Sequence, residues 1–354
     1  MTLEDLGWND FFAAAFAPHA EQGLVPARVV RELKGVYGVS TGERELQAAA
    51  SGRLWHGAEG GGAPAVGDWV AVRLPERLSE PGLIRAILPR KSKFSRKAAG
   101  ARTDEQVVAA NVDTVFLVTG LDGDFNPRRI ERYLAAGWES GAEPVVVLNK
   151  TDLAEDLDEL VREIESVAVG VPVHAVSAKV DMGIDTLRPY LRPGRTVSLL
   201  GSSGVGKSTI INRLLGGEVQ RTGAVRTGDQ RGKHTTTHRE LFVLPSGGLL
   251  LDTPGMRELQ LWEADDGITA TFSDIEELAG GCRFRDCSHK GEPGCAVQEA
   301  VESGELDPER LESYRKLQRE LHQVHLRQDV ALRLKEKQRL KAIHKAQDRF
   351  KPKG

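Results

Sequence analysis

The spacing of hydrophobic and polar positions changes several times along the chain, and each change marks a different architecture. Near the start, Trp8, Phe11, Phe12 and Phe16 recur at roughly helical spacing behind the acids Glu4 and Asp5. This predicts a short docking helix, and it lacks the basic head and continuous apolar centre of a signal peptide. From about Val25 to Lys93 the apolar runs are short and strand-like: PARVVREL, GVYGVST, ERELQAAASGRL, GDWVAVRL and GLIRAILP, broken by turns such as Gly60 to Pro64 and Pro75 to Pro81. Strands of this number and length suit a small β-barrel. An OB-like fold, which offers a curved sheet face to nucleic acid, fits the count, as does an SH3-like module.

A basic stretch carrying Arg90, Lys91, Lys93, Arg96, Lys97 and Arg102 follows and reads as a linker over residues 96–110. From Asn111 the period changes again, with strand-length apolar runs (VDTVFLVTG, PVVVLNK, VPVHAVSAK, TVSLLG) alternating with helical segments from Pro127, Leu157, Ile184 and Ser208. Such alternation predicts a mostly parallel sheet clothed by helices, with ligands collected at the carboxyl ends of its strands. Leu241 to Leu244 and Leu249 to Leu251, joined across Pro245 to Gly248, predict a hairpin at the edge of that sheet. Past Gly255 the strand signal stops, and a cysteine-bearing stretch leads into a charged helix from about Pro308 to Arg349. The predicted fold is therefore multidomain: an N-terminal helix and OB-like barrel over residues 1–95, the linker, an α/β domain over 111–258 and a mostly helical module over 259–354.

Composition narrows the compartment. With 40% hydrophobic and 28% charged residues, and no apolar run long enough to cross a bilayer, no membrane partner is expected. All 3 cysteines fall between Cys282 and Cys295, which argues for a local metal site in a reducing, cytoplasmic setting rather than for disulfides. The net charge of −3 speaks weakly against a nucleic-acid partner, but the average hides a basic tail: Arg333, Lys335, Lys337, Arg339, Lys341, Lys345, Arg349, Lys351 and Lys353. That tail is either an RNA contact or a solvated helix face.

The chemistry begins with Gly201-Ser202-Ser203-Gly204-Val205-Gly206-Lys207-Ser208, followed by Thr209, which matches the P-loop between an apolar strand and an apolar helix. Its glycines let backbone N–H groups wrap a phosphate chain, Lys207 reaches the outer phosphates, and the Ser208 hydroxyl is placed for Mg²⁺. The base is indicated by Asn149-Lys150-Thr151-Asp152. Guanine offers two parallel donors that a carboxylate such as Asp152 can accept, whereas adenine offers none at C2. Ser177-Ala178-Lys179, at the end of another strand, supplies the partner loop. An ATPase or kinase is disfavoured on the same grounds.

Asp252-Thr253-Pro254-Gly255 adds a Mg²⁺ carboxylate at Asp252 and a γ-phosphate sensor in the Gly255 N–H, and one of Thr235, Thr236 and Thr237 serves as the switch threonine. Met256 stands where Ras-like enzymes carry a water-orienting Gln, so hydrolysis by the chain alone is expected to be slow. His234 is the nearest polar group for positioning water, with a plain surface histidine as the alternative. The guanine motifs precede the P-loop, the reverse of the ordinary order, which is a circular permutation; the second switch then runs directly into the C-terminal module. There Cys282, Cys287, His289 and Cys295 form C-x4-C-x-H-x5-C, a complete tetrahedral donor set for one structural Zn²⁺.

These motifs, NKTD, SAK, GSSGVGKST, GKHTTTHREL, DTPG and the cysteine–histidine set, resemble those of the ribosome small-subunit-dependent GTPase A family of bacteria, over most of the chain. The resemblance implies an N-terminal OB fold, a permuted GTPase domain, a zinc domain, and GTP hydrolysis stimulated by the small ribosomal subunit late in its maturation. It also implies contact with that subunit's rRNA and a catalytic role for His234. A monomer is expected. The rival is a non-catalytic RNA-binding checkpoint factor that uses GTP only as a conformational lock.

Overall fold

The computed structural model describes residues 1–33, 35–52, 54, 62–77, 80–97, 105–123, 125–217, 239–252 and 265–328. His234, Thr235, Thr236, Thr237, Thr253, Gly255, Met256 and the basic tail from Arg333 lie outside the described residues.

The N-terminal strands β1 (Val25–Leu33), β2 (Val36–Ser40), β3 (Glu45–Ala50), β4 (Trp69–Arg73) and β5 (Gly82–Ile87) pair in the order β1-β2-β3-β5-β4, and β4 returns to β1, closing the barrel. Only the β3–β5 pairing is parallel. This five-stranded Greek-key closure is that of an OB barrel, so the SH3-like alternative falls away. Helix α1 (Asp10–Ala20), capped by the Asn9 side chain on the Phe11 N–H, docks on it. Phe12 and Phe16 are buried, and Trp8 meets buried Trp69 edge-to-face with ring centroids 4.7 Å apart.

The linker reading is corrected. Residues Lys93–Lys97 (β6) and Glu105–Ala110 (β7) pair as an antiparallel ribbon, and Val108, Ala109 and Ala110 are buried. The basic letters had masked the pairing because Lys93 turns to Glu105 and half-buried Arg96 donates to the Gln106 side-chain oxygen across the ribbon, while Phe94 is buried.

The central domain carries strands β8 (Thr114–Gly120), β9 (Glu143–Asn149), β10 (Val173–Ala175), β11 (Thr196–Leu200), β12 (Arg239–Val243) and β13 (Leu249–Asp252), in the order β10-β9-β8-β11-β13-β12. All neighbours are parallel except the hairpin β12–β13. Helices α2 (Pro127–Glu139), α3 (Leu157–Val167) and α4 (Lys207–Leu215) cover the sheet, and the predicted helix from Ile184 is a 3₁₀ turn, Ile184–Tyr190, with Pro189 inside it. The hairpin is not an edge. β12 pairs with barrel strand β1 through Arg31–Glu240 and Glu32–Arg239, so barrel and central sheet are one continuous sheet.

The C-terminal module is helical: α5 (Asp265–Thr271), α6 (Ser273–Ala279), α7 (Ala296–Ser303) and α8 (Pro308–Gln328). Its core, Ile268, Phe272, Ile275, Val297, Leu311, Tyr314, Leu317 and Leu321, also takes in Ala135 of α2. Gly267 allows this approach: a Cβ there would lie 2.1 Å from the Ala135 carbonyl oxygen.

Candidate functional site

The three motifs converge because parallel strands deliver their carboxyl ends to one edge. Asn149 closes β9, is almost wholly buried, and ties the loops together: its Oδ1 accepts from the Ala178 N–H at 3.0 Å and its Nδ2 donates to the Val205 carbonyl at 2.7 Å. One side chain thus joins the NKTD, SAK and P-loop segments. Gly206 is required beside it, with φ +97° and room so tight that a Cβ would lie 2.2 Å from Asn149 Nδ2. Gly201 is equally constrained, since a Cβ there would meet the Val118 carbonyl oxygen at 2.2 Å.

Asp152 is held by a Ser177 Oγ that donates to its Oδ1 at 2.5 Å, while Lys179 Nζ stands 3.9 Å from Oδ2. The carboxylate is oriented on one oxygen by a neutral hydroxyl and keeps acceptor capacity for a pair of donors such as those of guanine. Lys150, at φ +68°, pairs with Asp122 of the loop after β8. Arg213, on the helix that follows the P-loop, donates to the Ala178 and Lys179 carbonyls at 2.9 Å each, clamping the SAK loop.

In the P-loop, Lys207 Nζ donates to the Gly201 and Ser202 carbonyls at 2.6 Å each, so its ammonium lies over the loop that would hold phosphates. Ser208 and Thr209 sit on the first turn of α4, behind Ser203 and Gly204 of the loop apex, and Asp252 ends β13, the second strand along from β8. The dipole at the N-terminus of α4 adds positive potential for an anion.

The cysteines and histidine also come together. Cys282 Sγ and Cys295 Sγ are 3.9 Å apart, and His289 Nδ1 lies 3.6 Å from the first and 3.4 Å from the second. With Cys287 included, the four donor atoms all fall within 4.8 Å of one another. A tetrahedral ion with Zn–S near 2.3 Å and Zn–N near 2.0 Å requires S···S of about 3.8 Å and S···N of about 3.6 Å, which Cys282, His289 and Cys295 meet, with Cys287 inside the same 4.8 Å cluster. The loop is pre-shaped: Glu292 accepts from the Ser288 and Lys290 N–H groups, and the His289 carbonyl accepts from Gln298 and Arg315.

Comparison with known proteins bears directly on this pairing of sites. A family model described as RsgA GTPase matches residues 87–262, and one described as 50S ribosome-binding GTPase matches residues 196–331. The small ribosomal subunit biogenesis GTPase RsgA of Opitutus terrae is 52% identical over 98% of this chain and 97% of its own length. The chain belongs to the RsgA GTPase family. The protein of the same name from Syntrophotalea carbinolica is 44% identical over 99% of this chain and 98% of its own length. Among solved structures, YjeQ from Thermotoga maritima superposes with a TM-score of 0.62 at 30% identity, covering 84% of this chain and 98% of that one. YloQ, described as a circularly permuted GTPase, gives 0.61 at 25% identity, covering 84% and 95%.

Within this RsgA family member, sequence reading had not found Arg213, Asp122 or Arg129 as site residues. Arg213 and Asp122 lie outside any motif and reach the site only through the packing of α4 and the β8 loop. Arg129, on the first turn of α2, donates to Ser202 Oγ at 2.8 Å, with Tyr133 Oη at 3.4 Å from the same oxygen. No linear pattern places a residue of α2 on a P-loop that lies far along the chain.

Proposed function

We propose that this RsgA family GTPase binds GTP with guanine specificity, hydrolyses it slowly alone and faster on the small ribosomal subunit, and uses the cycle in late maturation of that subunit in the cytoplasm. The observation that carries the reading is the Asn149 bridge, which holds Ser177 and Asp152 in one frame with the P-loop. Asp152 would accept the guanine ring N–H and exocyclic amine, and the Ala178 and Lys179 end of the SAK loop would face the base oxygen and ring. The backbone N–H groups from Ser202 to Ser208 would surround the phosphates, with Lys207 on the outer ones. Ser208, Asp252 and one of Thr235, Thr236 and Thr237 would hold Mg²⁺, which neutralises charge between the β- and γ-phosphates. Gly255 would sense the γ-phosphate, and His234 would position water in the place left by Met256. Cys282, Cys287, His289 and Cys295 would hold a structural Zn²⁺.

Relatives named for the small ribosomal subunit match nearly the full length, whereas the model described as binding the 50S subunit covers residues 196–331. The small subunit is therefore the partner of choice. The test is GTP turnover with and without purified small subunits, in the parent and in Asp152→Asn. Stimulation in the parent, and loss of GTP affinity of about 2–3 kcal/mol in the variant, are expected, the magnitude being that of hydrogen bonds to a charged group. A variant that binds GTP as well as the parent refutes the pocket assignment. Met256 favours a second reading, in which GTP only locks a conformation for RNA binding; turnover indifferent to the subunit would select it.

A further inference from the structure

Helix α2 belongs to two cores at once. Ile130 and Leu134 pack into the central domain, and Ala135 into the C-terminal module. Its polar positions divide the same way. Arg129 and Tyr133 meet Ser202 of the P-loop. Arg128, Glu131 and Arg132 face the module: Glu131, fully buried, accepts from Arg128 at 2.9 Å and from Arg310 at 3.0 Å, Arg310 continues to Asp274 at 2.7 Å, and Arg132 pairs with Glu320 at 2.7 Å. Arg128 further reaches Asp307.

The first turn of α2 breaks a local rule. It carries Arg128 and Arg129 and no acid, although cations at a helix N-terminus oppose the helix dipole. Each arginine has an external reason to be there: Arg128 faces the carboxylates of the module, and Arg129 faces the P-loop, where the dipole and the guanidinium add positive potential beside the phosphate-binding backbone. Ser202 is also the residue whose carbonyl accepts from Lys207, so the Arg129 contact is one residue's width from the ammonium that would meet the terminal phosphates.

We propose that Arg129 is a positioning residue for the phosphate end of the site, acting through Ser202, and that α2 couples its placement to the seat of the C-terminal module on Arg310 and Glu131. A partner that shifts the module would thereby shift Arg129 relative to the P-loop, by a packed route additional to the covalent one from Asp252 into the module. Contacts made at the γ-phosphate separate GTP from GDP, so a residue that sets the P-loop at Ser202 should affect triphosphate binding and turnover rather than guanine recognition.

This rests on the P-loop being the GTP site, and the test separates the two failures. In the full chain, Arg129→Ala should lower the preference for GTP over GDP and the subunit-stimulated kcat by about tenfold each, less than a directly contacting arginine, while GDP affinity stays within about twofold; Arg129→Lys should recover part of the loss. A merely structural role would move melting temperature and GDP affinity together. For the coupling, the same substitution is made in a Glu131→Gln/Arg310→Gln background, which removes both charges of that pair together and leaves Asp274, one-third exposed, to solvent, with folding checked by melting. There the Arg129→Ala effect should shrink to about twofold or less, because coupled sites are not additive. Should that background not fold, Glu320→Gln, which loosens only the half-exposed pair with Arg132, should shrink it by a smaller margin. An unchanged GTP-to-GDP ratio and kcat in Arg129→Ala overturn the positioning role; equal effects in the intact and altered backgrounds overturn the coupling. A parent that binds no guanine nucleotide overturns both this inference and the proposed function, whereas nucleotide binding that survives Asp152→Asn overturns the base assignment alone.

Discussion

The central domain has two seams, and they are built from different physics. Toward the barrel, the seam is a continuous sheet through β1 and β12 and a shared apolar core that includes Val66, Trp69, Leu249 and Leu251. Two deeply buried charges lie there among the described residues: Asp68, paired with Arg90, and Arg28, which donates to neutral acceptors, the Leu6, Gly67 and Asn111 carbonyls and Thr196 Oγ1 at the start of β11. Burial lowers the Arg28 pKa to about 10, with Asp113 and Asp68 opposing the shift, so it is charged at neutral pH. Toward the C-terminal module, by contrast, the apolar contact is narrow, Ala135 against Gly267 and its neighbours, and charge pairs around Arg128, Glu131, Arg310 and Asp274 close the rest. A sheet seam moves as a body. An ionic seam hangs on a few discrete pairs, which suits the side of the molecule proposed to respond to the nucleotide.

The most damaging way to test the contrast is to remove the metal proposed for the Cys282, Cys287, His289 and Cys295 cluster. Metal binding in small structural sites contributes about 10–16 kcal/mol, so a chelator, or Cys287→Ala, should unfold the C-terminal module and leave the barrel and central sheet melting as before. Calorimetry should show one of two transitions lost; freshly purified, folded protein without zinc by elemental analysis would remove the claim. Next in size is Arg310→Met, which takes from Asp274 its arginine and leaves buried Glu131 with Arg128 alone; it should cost about 3 kcal/mol, the low end for removing one partner of a buried pair, confined to the module. If hydrogen exchange slows or stays unchanged in α5 to α8, the ionic seam is not what holds them. Arg28→Met should cost less, about 2–3 kcal/mol, because the carbonyls it leaves are neutral, and its penalty should be insensitive to salt. A strong salt dependence would erase the difference between the seams.

The smallest expected effect is a pH dependence of the ionic seam. Burial would raise the Asp307 pKa, but hydrogen bonds from the Glu309 N–H and from Arg128, and the Arg128 charge, hold it below the usual carboxylate range. Its folded pKa lies below its unfolded one, so its contribution is complete above the ordinary carboxylate pKa and is lost as the pH falls through the folded value. As the pH falls below about 4, the ordinary carboxylate value, the module should loosen before the barrel does, as read by exchange or proteolysis at α8. Loosening of both at the same pH, or of the barrel first, would count against the comparison.

Much of the site was legible in the letters because its chemistry is local. A P-loop needs its glycines, lysine and serine in one turn, and Asp152 needs only the end of a strand; periodicity then placed the strands that bring Asn149, Ser177 and Gly201 to one edge. The metal donors were legible for the same reason, since all four lie within one short segment. The ribbon β6–β7 was not, because its basic letters resemble a linker until Phe94 and Val108 are seen to be buried.

By itself the sequence determined the barrel's strands, the permuted motif order, the carboxylate proposed to read guanine and the clustered cysteine–histidine donor set, since each depends on residue type at short separation along the chain. Tertiary structure alone decided that β12 continues the barrel, that Arg28 sits at one seam and Arg310 at the other, and that α2 touches both the P-loop and the module. The reason is physical: long-range pairing follows from which apolar faces bury each other, and a buried charge acquires its meaning only from the partners that this burial brings within hydrogen-bond reach.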